Sequence, residues 1–454
     1  MALDGVARGT TPRAARRDEH ELPTGQLVLR APPQIQQHEG AGGVLLNAIP
    51  MLGSLGSIVL VATMGPGTDG RSYIAAGMFL LATVGFVVVQ LDRQQRQRRR
   101  QVTGSRTGYL RYLGHVRQVA REAAEQQRRV LSWHHPEPAV LPALAEERSR
   151  VWERDSSDAD FLHVRYGACD QPLSVELVPP ESAPTGQADP AATSALHRLL
   201  TVHRLQPDLP ATIDLRAFDR IELCGPEEQV RGLARAMLCS AAAFHAPEHL
   251  VIAVLATERK LAHWDWLKWL PHAQSAQHSD AVGPSRLVAT STADLAAMLP
   301  QDLTDRPRSG AEERLAPPHL LVVTDSARLT PGNRMVPPDG LPGATVLDLP
   351  TRREGLESPT ALRVQLGNAP ADEHLAGRGS EQVPVLALRL HEEPIRARAD
   401  QCDLSTAQAF ARRLAPLHTA VAPTGASSGE ITGRGDLTDL LGLGDFQVFV
   451  PATA

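Results

Sequence analysis

RIELCGPEEQVRGLARAML, Arg220 to Leu238, decides the fold. Its first residues form a short β run, Gly225 and Pro226 break it, and the apolar residues after Gln229 recur at helical spacing. Strand, tight turn and helix in immediate succession open a βα unit, and the rhythm extends on both sides. Upstream stand HVRYGA (163–168), PLSVELV (172–178), a helical stretch from Ala195 to Leu205, and ATIDL (211–215). Downstream come HLVIAVL (249–255), SRLVAT (285–290), a helix from Ala293 to Met298, HLLVVTD (319–325), GATVLDL (343–349), ALRVQL (361–366), PVLALRL (384–390) and a helix from Thr406 to Leu417. Apolar β runs alternating with helices predict an α/β unit with a parallel sheet.

Two charge-free apolar runs lie toward the N-terminus, GVLLNAIPMLGSLGSIVLVATM (43–64) and YIAAGMFLLATVGFVVVQL (73–91). As helices they would extend about 33 and 28 Å, near the ~30 Å of a hydrocarbon core. A short turn-forming link, GPGTDGRS (65–72), joins them, and RQQRQRRR follows with Arg93, Arg96, Arg98, Arg99 and Arg100. A basic block after an apolar run marks the cytoplasmic side and suits anionic lipid. The pattern predicts a transmembrane hairpin in the plasma membrane with both termini cytoplasmic. Thr107 to Leu131 then reads as an amphipathic stalk helix whose apolar stripe includes Leu113 and Val116, candidates for contact with another subunit. His134, His135 and Pro136 read as a helix end. The organisation expected is a tail (1–42), the hairpin (43–91), a basic segment and stalk (92–150), the α/β unit (151–424) and a linker (425–454).

The net charge of −5 is divided. Residues 1–106 carry 12 arginines and 7 acids, and the remainder has 34 basic and 44 acidic residues. An acidic body argues against a nucleic-acid binder. Of 46 basic residues only Lys260 and Lys268 are lysines, as in the product of a GC-rich genome. Cys169, Cys224, Cys239 and Cys402 have no C-x-x-C spacing, so neither a disulfide framework nor a zinc site is expected.

Gly65 to Ser72 matches a phosphate-loop pattern except for Arg71 at the lysine position, but it lacks the preceding strand and reads as a decoy. The turn after 220–224 has the right context and the wrong chemistry. Gly225 and Glu228 stand where a phosphate loop would, without a lysine for the phosphates or a hydroxyl for Mg²⁺, and carboxylates there repel a triphosphate. Asp325, ending HLLVVTD, occupies the place of a metal-holding acid; Ser326 follows it in place of a second acid. Two readings stay open: an ordinary sheet edge, or a nucleotide-binding fold without catalytic parts. WDWLKWL places Trp264, Trp266 and Trp269 within six residues, as a packed corner or a docking surface. No catalytic residue and no metal-binding cluster stands out.

Several segments together resemble the EccC family, the FtsK/SpoIIIE-type ATPases of type VII (ESX) secretion in actinobacteria. They are the two-run N-terminus, YLRYL (109–113), WHHP (133–136), VWERDSSDADFLHVRYG (151–167), PDLPATIDL (207–215), RGLARAMLCSAAAFHAPEHLVIAV (231–254), WDWLKWLPH (264–272) and GRGDLTDLLGLGD (433–445). The resemblance implies a hetero-oligomeric membrane complex with EccB-, EccD- and EccE-like subunits. It also implies WXG100-type substrates handled by motor domains that use ATP and Mg²⁺. This part of the family is an ATPase-like unit between stalk and motors, and family members continue into tandem ATPase domains. Ending at Ala454, the chain reads either as a fragment or as a product whose motors lie on another polypeptide. The function expected is to anchor the motor and couple it to the channel. The alternatives are a working ATPase at 220–238 and an unrelated membrane-tethered regulator.

Overall fold

The apolar runs assemble into a sheet of ten strands in the computed structural model. It describes residues 21–34, 70–181, 188–279, 283–304, 318–329, 343–350, 358–367, 384–389 and 392–417. In chain order the strands are β1 (His163–Pro172), β2 (Leu205–Asp214), β3 (Arg220–Cys224), β4 (Leu250–Ala256), β5 (Val288–Ala289), β6 (His319–Asp325), β7 (Ala344–Leu349), β8 (Ala361–Leu366), β9 (Pro384–Arg389) and β10 (Ile395–Ala399). Across the sheet they lie in the order β2-β1-β10-β9-β8-β3-β7-β6-β4-β5.

From β8 to β5 every neighbouring pair is parallel. The sheet expected to be parallel is therefore mixed: six strands are parallel, β9 and β10 add antiparallel, and β10 pairs antiparallel with β1. The link from Arg389 to Ile395 has hairpin length, too short for the crossover a parallel pair needs. Within the parallel part, β3 sits between β7 and β8, while β4 lies beyond β6. The chain thus changes direction across the sheet beside β3, which puts a topological switch point at the carboxyl end of that strand.

Period-2 alternation assigns each strand residue to a face. Ile221, Leu223, Ile252, Val254, Leu321, Val323, Leu347, Leu362 and Val364 join one core with α1 (Leu141–Glu147), α2 (Glu227–Phe244) and the helix α4 (Leu404–Leu414). Ala253, Leu255, Leu320, Val322 and Val346 join a second, with Leu295 of α3 (Thr292–Met298) and Leu299. Every residue of α2 from Val230 to Phe244 is buried, which explains its run of small residues, Cys239 to Ala243. α1 stops at Glu147 because Arg148 takes a left-handed conformation (φ 55°). α4 starts two residues early because Asp403 caps it, its carboxylate accepting from the Thr406 N–H at 2.7 Å.

The chain divides into two compact units. Of the described residues, the first holds 135–169 and those between 210 and 417. The second takes in 21–34, 70–134 and the described residues between 170 and 209, so the last of these group with the long helix rather than with the α/β segment where sequence placed them. In this second unit one helix runs from Gly70 to His134, and a second, Pro190–Arg204, packs against it. Gly25–Val28 and Val175–Val178 pair as two parallel strands. Leu113 and Val116 are buried against Ala192, Leu196 and Leu199, so the stalk's apolar stripe has a partner within the chain.

The transmembrane hairpin and the multi-pass plasma-membrane location read from the sequence are corrected here. Among the described residues no helix is long and apolar enough to cross a membrane. The run 73–91 is no separate span. It forms the first turns of the 65-residue helix, which continues without a break through the arginine block to His134. The other half of the expected hairpin, 43–64, lies outside the described residues, as do Gly65–Asp69 of the decoy loop.

Candidate functional site

The switch point is occupied by the turn that sequence singled out. β3 ends at Cys224 and α2 begins at Glu227, so only Gly225 and Pro226 lie between them. Gly225 has φ +149°, and a Cβ there would stand 2.7 Å from the Leu366 carbonyl oxygen and 2.9 Å from its Cβ. The turn is thus clamped against the end of β8, and glycine is required. Pro226 is the N-cap of α2, without a side-chain cap bond and without an N–H. A phosphate cradle needs successive backbone N–H groups converging ahead of a helix. Two residues, one of them proline, do not build it.

The first turns of α2 carry the charge. Lys260 Nζ donates to Glu227 at 2.5 Å, and Arg231 Nη2 donates to the same oxygen at 3.0 Å. These two cations, Lys260 foremost, hold the Glu227 carboxyl below the usual range. Glu228 accepts from Arg235 Nη2 at 2.6 Å and lies 3.9 Å from Arg231. Arg231 also reaches inward, where its Nε donates to Asp325 Oδ2 at 2.9 Å; both side chains are buried, 5% and 2% exposed. Burial pulls the Arg231 pKa down, but the Asp325 and Glu227 carboxylates together outweigh this and leave it raised.

Asp325 is fully engaged. Oδ2 also accepts from the Trp264 indole N–H at 3.0 Å, and Oδ1 accepts from the Ser326 hydroxyl at 3.2 Å. Ser326 itself adopts φ 58°, a conformation uncommon outside glycine and asparagine. Three carboxylates (Glu227, Glu228, Asp325) thus face three cations (Arg231, Arg235, Lys260). The position that would neutralise a polyphosphate is neutralised by the chain's own side chains. Among the described residues no group of three or more His, Cys, Asp or Glu side chains could hold a metal ion.

The structure therefore brings Gly225, Glu228, Asp325 and Trp264 together at the carboxyl ends of β3 and β6. Trp264 and Trp266 are buried and offer no face to a partner. Trp269 is half-buried, with the Arg412 guanidinium of α4 stacked 5.3 Å from its ring centroid. Arg93, Arg96, Arg99 and Arg100 are exposed on the long helix, with Arg96 paired to Asp92; of Arg98 only the helical backbone is described. Sequence reasoning missed Arg231 and Arg235. The signal was present, since two arginines spaced four apart in an otherwise small, apolar helix, and four and seven residues after two glutamates, have to find buried anionic partners.

No protein-family model matches the sequence. Over 411 residues, 90% of this chain, it is 36% identical to the ESX secretion system protein EccC of Thermomonospora curvata. This chain is an EccC homologue. It is also 31% identical, over 435 residues and 95% of its length, to the ESX-4 secretion system protein EccC4 of Mycobacterium tuberculosis. It spans about a third of the length of these EccC relatives, 30% of the first and 31% of the second. The solved cytoplasmic domain of the Thermomonospora curvata type VII secretion ATPase EccC matches with a TM-score of 0.29 and 15% identity, over 64% of this chain and 35% of that one. That likeness is too slight to bear on the fold. The site of this EccC homologue rests on its own geometry.

Proposed function

We propose that the α/β unit is a non-hydrolysing, ATPase-like module of an ESX-type secretion machine, and that it relays conformational change to motor domains bearing intact nucleotide sites. The observation that carries this reading is the internal ion-pair set at the switch point. Phosphoryl transfer needs a cationic cradle for the β- and γ-phosphates, a Mg²⁺-holding hydroxyl, a metal-holding acid and a positioned water. Here the cradle is replaced by Gly225-Pro226, the cations are spent on Glu227 and Glu228, and Asp325 is held by Arg231 and Trp264.

The wider expectations from the family belong to the same proposal. The machine's cargo would be small helical proteins of the WXG100 type, its other subunits EccB-, EccD- and EccE-like proteins, and its ATP and Mg²⁺ would be bound by the motors.

The test is a titration of the full chain with a fluorescent ATP analogue in the presence of Mg²⁺, alongside a phosphate-release assay. The expected result is neither saturable binding at micromolar nucleotide nor turnover. Turnover that is abolished by Asp325→Ala with the fold intact would establish a working ATPase instead.

A further inference from the structure

The long helix of the second unit carries an unbroken cationic stretch. No Asp or Glu occurs between Asp92 and Glu122, an interval that includes nine arginines. Arg96 pairs with Asp92, and Arg106 is held by Asp189 through Nε at 2.7 Å and Nη2 at 3.0 Å. Arg99, Arg100 and Arg111 make no ion pair among the described residues, and all three are exposed.

These three arginines frame a shallow groove floored by Thr103, Gly104, Thr107 and Gly108. Two rows at four-residue spacing build it: Arg99-Thr103-Thr107 and Arg100-Gly104-Gly108, with Arg111 closing the far end. A Cβ on either glycine would meet nothing within 4 Å, so the floor is open and low. The Thr107 hydroxyl is turned back to the Thr103 carbonyl at 2.8 Å and is not offered outward.

The shape and charge select the occupant. Arg100 and Arg111 are eleven residues apart, about 17 Å along the axis. A single phosphate or carboxylate reaches one end only. A second copy of this helix would set arginine against arginine. Small residues four apart lower the ridge on one side of a helix and let another helix approach closely along it. We propose that this face seats an acidic helix of another protein, packed across Gly104 and Gly108 with its carboxylates against Arg99, Arg100 and Arg111.

The test uses the full chain and a fluorescein-labelled, alanine-based helical peptide of about 20 residues, long enough to hold a helix, with glutamates eleven residues apart on one face. Anisotropy should show saturable binding, weakened roughly tenfold or more by Arg100→Glu with Arg111→Glu, as expected where complementary charges are opposed. Gly104→Leu should weaken it comparably by filling the floor. That substitution raises helix propensity, so loss of binding cannot come from a melted helix. A lysine version of the peptide should bind the double glutamate variant and not the parent chain. The proposal is overturned if Gly104→Leu leaves affinity unchanged, if a flexible polyglutamate peptide binds as tightly, or if millimolar inorganic phosphate displaces the helical peptide.

Discussion

Arg231 Nε and Asp325 Oδ2 lie 2.9 Å apart between the second turn of α2 and the end of β6, both almost wholly out of solvent. The pair joins the two elements whose ends would have to open to admit a nucleotide. Breaking a buried pair from one side leaves the other charge without compensation, which typically costs about 3–5 kcal/mol. Arg231→Met is therefore expected to destabilise the chain by about that amount in urea denaturation, with an unchanged m-value. The double variant Arg231→Met/Asp325→Leu should recover much of the loss, because a buried ion pair exchanged for apolar groups of similar volume is often neutral. If both variants are equally destabilised, the ion pair is not what holds the two elements.

Two glycines of the same region make opposite predictions. Gly225 combines φ +149° with a Cβ position blocked by the backbone of Leu366, so Gly225→Ala is expected to cost roughly 2–3 kcal/mol through strain at a conformation only glycine adopts freely. At Gly232, inside α2, the blocking atom is Oε1 of Gln401 at 2.3 Å, the far end of a flexible side chain. Gln401 can swing away, and alanine is better than glycine in a helix by about 1 kcal/mol. Gly232→Ala should therefore be near neutral. Thermal melts of the two variants side by side decide this, and a large loss at Gly232 would mean that Gln401 is fixed in place.

The α/β unit was largely legible in the sequence, because strands covered on both faces read as continuous apolar runs. HLLVVTD and ALRVQL coincide with β6 and β8 to the residue. IRARA, the strand β10, was not legible: it alternates alanine with arginine and is placed by its pairing with β9 and β1 rather than by its own hydrophobicity. At the candidate site, Gly225, Glu228 and Asp325 were found because a strand end and a helix start fix where they stand. Arg231 and Trp264 were not assigned to the site, since the contact with Asp325 spans 94 and 61 residues and no local pattern encodes it. The stalk's missing partner was hidden for the same reason. Leu196 and Leu199 lie some 80 residues after Leu113 and Val116, across segments of unrelated periodicity.

That contact carries a prediction of its own. Leu199 is 2% exposed in the cluster with Leu113 and Val116. Leu199→Ala should cost about 2–5 kcal/mol, the range for a leucine truncated in a packed core, and should raise amide exchange over residues 109–130. Leu113→Glu buries an unpaired carboxylate at the same contact and should undo the docking of the 190–204 helix altogether. A change at Leu110, which is exposed on the same helix, should leave exchange unaltered. Slowed or unchanged exchange in Leu199→Ala would show that the two helices are held by something other than this cluster.

Two buried histidines set the acid limit of the first unit. The Leu162 N–H donates to His245 Nε2 at 2.8 Å, and the other ring nitrogen, Nδ1, lies 2.8 Å from the Ala241 carbonyl, which fixes a neutral ring protonated at Nδ1. His272 Nε2 donates to the His245 carbonyl at 2.7 Å. Burial, reinforced by Arg154, pushes the His245 pKa down to about 3, and burial pushes that of His272 down to about 4. In the unfolded chain each would take up a proton near pH 6.5. The unfolded state thus binds more protons than the native state below that pH, and stability falls as the pH drops from 6.5 toward the folded values. The slope approaches 1.4 kcal/mol per pH unit for each ring, so on the order of 5 kcal/mol is lost between pH 7 and 4.5 from the pair. Urea denaturation across that range should show the decline, and His272→Leu, which cannot protonate, should remove about half of it. A pH dependence unaltered by His272→Leu would assign the acid sensitivity to carboxylates instead.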